Sequence, residues 1–108
     1  MLFSGLTLIF LKLFGVGLWL MLPPLLTLIA VITLLGQLVG KREGWSRFDS
    51  FYWAFITATT VGYGDLRPAS RGSRLLSILI ALLGLMFTGI VIAVAVQAAT
   101  VALKSVGP

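Results

Sequence analysis

Cysteine and histidine are both absent from this 108-residue chain, and its acids are Glu43, Asp49 and Asp65 alone. Without thiols there is no disulfide and no thiolate metal site, and without imidazole the commonest general base is missing. Three carboxylates leave little for acid–base chemistry, so the inventory argues against an enzyme and calls for no cofactor. Charge is scarce as well: 10% of residues are charged and 59% are hydrophobic, with a mean hydropathy of +1.12. A soluble domain of this size needs a polar surface that this composition cannot supply, which leaves one small membrane module. The net charge is +5, spread over Lys12, Lys41, Arg42, Arg47, Arg67, Arg71, Arg74 and Lys104. No run among them resembles a nucleic-acid patch. Most lie in the central polar stretch, which points to a membrane surface or a pore mouth.

What the chain has in quantity is apolar length. Residues 75–103 carry no charge, and as a helix they cover roughly 43 Å, more than the ~30 Å hydrocarbon core. From Gly84 onward this run is rich in small residues, Gly84, Thr88, Gly89, Ala93, Ala95, Ala98 and Ala99, which let helices approach closely in lipid. Residues 1–39 are also apolar, interrupted by Lys12 and by Pro23-Pro24. The prolines make no adequate turn for a separate antiparallel span. Residues 1–14 therefore read as an interfacial helix, with Lys12 at the headgroups. An outer helix follows over about 15–40: residues 25–39 alone reach only about 22 Å, so the span starts earlier, near residues 15–19, or begins at the prolines and dips shallowly. Residues 41–74 form the polar interruption, and within it residues 51–56 turn apolar again after Asp49 and Ser50, both good helix N-caps. A helix over 49–59 enters a membrane without crossing it.

Then comes ATTVGYGD, residues 58–65. Non-helical backbone at membrane depth is tolerated only inside protein or beside a watery cavity. Glycines directly after a half-length helix thus suggest a re-entrant loop around an aqueous path. A phosphate-binding G-x-G-x-x-G turn is the competing reading. It fails because Arg67 occupies the last position and no strand precedes it.

On these residues the chain resembles the tetrameric potassium channels, in particular the bacterial pore modules with two transmembrane helices per subunit, for which TVGYG is the standard example of a selectivity filter. The match runs from about Pro23 onward and is most specific over residues 57–65. The resemblance implies an all-α membrane protein, two transmembrane helices flanking a re-entrant pore helix and filter loop, assembled as a homotetramer because one chain supplies one loop. It implies a turret over 41–48, a pore helix over 49–59, a filter over 60–64 and an inner helix over 74–104, all within a pore domain spanning 15–108. The function implied is passive, potassium-selective conduction. Its partners are potassium ions, three identical subunits and the lipid bilayer of the cell membrane, which the chain crosses more than once with both termini cytoplasmic.

Site residues follow by resemblance. Thr60, Val61, Gly62, Tyr63 and Gly64 form the filter, with carbonyls of Thr60 to Tyr63 and the Thr60 hydroxyl replacing the ion's water. Gly62 and Gly64 permit the backbone this needs, since glycine takes positive φ freely. Tyr52, Trp53 and Asp65 support the filter. Ile56 stands where some bacterial relatives carry a glutamate partner for that aspartate, and Tyr52 replaces their donor tryptophan. Arg67 stands at the outer mouth, where a ring of positive charge disfavours cationic blockers. On the inner helix Leu85, Thr88 and Ile92 match cavity-facing positions. Gly84 and Gly89 are hinge candidates, with close packing as the alternative. Ala93, Gln97 and Thr100 fall near the inner constriction.

Two observations sit apart from this picture. Counting Lys and Arg places the central loop inside, opposite to the family's outward-facing filter. No arginine-periodic helix is present, so voltage sensing of the usual kind is not expected. Two other functions compete: a potassium-uptake transporter subunit, whose relatives carry several degenerate filter repeats in one chain, and a non-conducting membrane adaptor. A single full TVGYG argues against both.

Overall fold

The computed structural model describes residues 2–106 and contains four helices among them: α1 (Leu2–Leu20), α2 (Leu22–Glu43), α3 (Arg47–Ala58) and α4 (Arg71–Val106). They build two compact units, one from residues 26–88 and one from residues 1–25 with 89–108. Three of the helices, α1, α2 and α4, are long and apolar enough to cross a membrane.

The N-terminal half departs from the expected boundaries. The interfacial helix expected over 1–14 runs on to Leu20, and at 19 residues it has the length of a span in its own right. The outer helix starts at Leu22 rather than near residue 15. The physical reason is the proline pair. Pro23 and Pro24 have no N–H to donate to the carbonyls of Trp19 and Leu20, but their missing donors cost nothing in a first turn. The helix therefore restarts there while Met21 bridges the break, donating to Gly17 O (3.0 Å) and accepting from Leu25 N–H (3.2 Å). The length that seemed missing is recovered at the other end. α2 continues to Glu43, so its 22 residues rise ~33 Å.

The expected turret over 41–48 shrinks to residues 44–46. Gly44 takes φ +77 and Trp45 N–H returns to Gly40 O at 2.9 Å, a left-handed helix stop. α3 then begins one turn before the expected caps, because Ser46 takes the cap: its Oγ accepts the Asp49 N–H at 3.0 Å. Ser50, freed from capping, is buried and donates its hydroxyl to Ser46 O at 2.7 Å. The 12 residues of α3 rise ~18 Å, too short to cross the hydrocarbon core.

α3 is held by small residues spaced four apart. Gly36 and Gly40 on α2 face Ala54 and Ser50; a Cβ on Gly36 would stand 2.5 Å from that of Ala54, and one on Gly40 would overlap Ser50. Ala58, the next in the α3 series, packs against Gly84 of α4. Around this close approach lie buried Ile32, Val39, Trp53 and Ile80. Gln37 adds a polar tie, donating Nε2–H to Arg47 O at 3.0 Å.

The remaining clamp of this unit is Glu43. Its carboxylate accepts from the Ala69 N–H and from the Ser73 hydroxyl (3.2 Å), and Ser73 is fully buried. Ser70 completes the start of α4 by accepting the Ser73 N–H at 3.2 Å. Glu43 thus ties the end of α2 to the first turn of α4. Glu43→Ala is expected to lower the thermal-unfolding midpoint in detergent, because it removes hydrogen bonds to a charged group; a midpoint equal to wild type would refute the clamp.

In the other unit α1 lies along residues 89–106 of α4. Gly17 meets the Val94 side chain closely, and Ala98 and Ala102 are buried.

Candidate functional site: the loop after α3

The last turn of α3 dictates the path of the loop. Thr59 ends the helix, and Thr60 adopts φ +67. Thr60 N–H donates to Thr57 O (3.1 Å) and Val61 N–H to Ile56 O (3.0 Å), the paired bonds that close a helix through a left-handed residue. Gly62 N–H joins the same Ile56 oxygen at 3.2 Å. Three consecutive N–H groups are therefore turned back toward the helix.

Positive φ recurs at Gly62 (+54) and Gly64 (+81), but not at Val61 or Tyr63. Alternating handedness directs successive N–H groups to one edge of the chain, and so leaves the carbonyls on the other. Among the described residues no donor reaches the carbonyls of Thr60, Val61, Gly62 or Tyr63, nor does the Thr60 hydroxyl form a hydrogen bond. Gly64 differs, because its carbonyl accepts Arg67 Nε–H at 3.2 Å. The result is a short rail of bare oxygens, the type of ligand that hard monovalent cations prefer. Its side chains are uncovered: Tyr63 is 71% exposed and Val61 50%.

Residues 24–101, from the start of α2 through most of α4, match the family described as "Ion channel". The chain belongs to the ion-channel family. Within it the chain groups with potassium-channel pore domains. It is 53% identical over 53 residues to "TWiK family of potassium channels protein 7" of Caenorhabditis elegans, covering 49% of this chain and 10% of that protein. It is 47% identical over 38 residues to the human "Potassium voltage-gated channel subfamily A member 5", covering 35% and 6%, and 45% over 38 residues to the human subfamily A member 4. The chain thus spans a tenth or less of the length of these relatives. No solved structure gives a significant match.

Around this loop the residues expected to support it are placed differently from one another. Asp65 Oδ1 accepts the Leu66 N–H at 3.1 Å, and its carboxylate also faces the Tyr52 hydroxyl. That hydroxyl titrates above its ordinary range, first through desolvation, then through hydrogen bonding and charge from Asp65 and the charge of Tyr63. Trp53 is buried, but its ring partner is Trp45, 5.3 Å away at a 59° tilt. Within one chain Tyr63 stacks on neither Tyr52 nor Trp53. Arg67 spans back to Gly64 as described, and remains exposed.

On α4, Gly84 is buried at the point where that helix touches α3. A Cβ there would stand 2.0 Å from Ala58 O and 2.6 Å from Ala58 C and Cα. Gly89 is open, with nothing within 4 Å of such a Cβ. Leu85, Thr88 and Ile92 are exposed at three- and four-residue spacing, hence on one face of α4. Ala93 and Gln97 line a groove beside α1 with Leu13 and Leu20, while the Thr100 hydroxyl donates to Val96 O at 2.8 Å. Sequence reasoning missed Glu43 and the Gly36–Gly40 pair; the four-residue spacing of small residues was a readable sign of the latter.

Proposed function

We propose that the chain is the pore-forming subunit of a potassium-selective channel, four copies about one axis, conducting passively through residues 60–64. The observation that carries this is the alternation of handedness at Thr60, Gly62 and Gly64, which turns the N–H groups to the helix and leaves four carbonyls and one hydroxyl without donors. A dehydrating potassium ion needs oxygens of comparable energy, and stacked rings from four loops supply them. Each loop alone is incomplete, for bare carbonyls and exposed Val61 and Tyr63 are untenable in lipid unless neighbouring chains surround them. Tyr52 and Asp65 brace the loop from behind. The C-terminal end of α3 favours a cation below it. In this reading Leu85, Thr88 and Ile92 line a watery cavity, Ala93, Gln97 and Thr100 approach the inner constriction, Arg67 rims the outer mouth, and the C-terminal end of α4 lies on the cytoplasmic side.

Purified protein in liposomes tests it. Potassium flux down its gradient is expected to exceed sodium flux by a wide margin and to stop with barium. Equal fluxes would refute selectivity; no flux from a confirmed tetramer would favour a non-conducting adaptor instead.

A further inference from the structure

Residues 2–20 lie outside the matched stretch 24–101, so the ion-channel match leaves α1 without a role. Its inward face is engaged. Leu13 and Gly17 share a groove with Val94 and Ala98 of α4, and Phe10 shares another with Ala99 and Ala102. Its outward face runs through Gly5, Leu8, Lys12, Gly15 and Trp19. These recur at alternating steps of three and four residues, the spacing of a seam along which two helices pack at a shallow angle. Lys12 and Gly15 are exposed, as are Leu8 and Trp19, and a Cβ on Gly5 or Gly15 would meet nothing within 4 Å.

Lys12 stands at the middle of this seam without a counter-charge. Among the described residues it forms no ion pair. Residues 1–25 and 89–108, which make up its unit, contain no Asp or Glu. A second copy would bring only another lysine to the same face. Nor does α1 suit the membrane surface, where a helix needs a broad polar face. Besides Lys12 it has two hydroxyls, Ser4 and Thr7, and that of Thr7 donates to Phe3 O at 2.8 Å. Within the bilayer, α1 holds Lys12 about 15 Å from one helix end and about 12 Å from the other, whereas lysines reach the headgroups from near helix ends. Ionisable groups at such depth pair with one another. We propose that the outward face of α1 docks a transmembrane helix of another protein, whose mid-membrane carboxylate pairs with Lys12 while its backbone closes in over Gly15. The seam calls for a helix, and the lone cation calls for an acid on it.

The test uses the full chain, donor-labelled in phosphatidylcholine vesicles, with acceptor-labelled synthetic peptides whose association is read by energy transfer. The probes are leucine–alanine helices of about 20 residues, long enough to span, that differ only in carrying Glu, Gln or Lys at the centre. The Glu peptide is expected to bind most tightly. Lys12→Gln should weaken that binding about tenfold, the scale of a polar contact between model membrane helices. Gly15→Leu should weaken it as well, by holding the incoming helix off. Lys104→Gln, in the last turn of α4, should leave it unchanged. In Lys12→Glu the preference should reverse to the Lys peptide, a gain of binding that a misfolded variant could not show. Equal binding of the Glu and Gln peptides, undiminished binding in Lys12→Gln or Gly15→Leu, an equal loss in Lys104→Gln, or no reversal in Lys12→Glu would each overturn the proposal.

Discussion

In the proposed channel Gly84→Ala is expected to disrupt assembly and selectivity together. The added methyl would meet main-chain atoms of Ala58, the carbonyl oxygen at 2.0 Å, and backbone cannot rotate away as a side chain can. Either α4 moves out or the end of α3 does, and two residues beyond that end the oxygen rail begins. Overpacking typically costs 1–3 kcal/mol; a backbone clash belongs at the upper end, about 3 kcal/mol in every chain. Gly89→Ala is the matched control. With no atom near its Cβ, it should be tolerated and even gain up to ~1 kcal/mol of helix propensity. Thermal stability of the detergent-solubilised oligomer, read beside potassium and sodium flux, separates two roles for Gly84. Packing predicts loss of stability with reduced selectivity. A pure hinge predicts a changed open fraction with stability and selectivity intact, and that result would defeat the packing account.

The parts of this architecture that a reader of the sequence can recover are those encoded locally. The charge-free run over 75–103, the half-length apolar segment and the glycines after it all state their physical constraint within a few residues. So does the need for positive φ at Gly62 and Gly64, which both adopt. What was not legible depends on partners far along the chain. Glu43 looks like a loop acid until Ala69 and Ser73, 26 and 30 residues away, are seen to use it. The cap of α3 was misplaced because Ser46, Asp49 and Ser50 are all competent caps, and only the burial of Ser50 under Gly40 decides among them. The proline pair left two starts open for the outer helix, near residue 15 or at the prolines, and nothing within a few residues chooses between them.

Thr60 is the residue whose conformation no propensity rule would choose. A β-branched side chain at φ +67 bears a strain of about 1–2 kcal/mol, at a position where helices usually place glycine. Strain of this kind persists where the surroundings over-determine it and tends to coincide with function. In the proposed filter the unengaged hydroxyl supplies the reason: glycine would relax the backbone and lose an oxygen. Thr60→Gly is therefore expected to split two properties that most substitutions move together. Stability of the oligomer should hold or rise, since the helix stop and its bonds to Thr57 and Ile56 are unaffected. In the proposed tetramer ion binding should fall steeply, because glycine removes one oxygen from each of four chains; at about 1 kcal/mol each, the scale of a single hydrogen bond, the loss is about 4 kcal/mol, or roughly a thousandfold in affinity. Thr60→Ser keeps the oxygen and eases the branching, so it should retain potassium binding with stability near wild type. Isothermal titration of potassium into the purified oligomer, alongside its melting profile, reads both quantities. A glycine variant that binds potassium like wild type would show that the hydroxyl is no ligand; one that also melts earlier would show that the left-handed turn bears no strain to relieve.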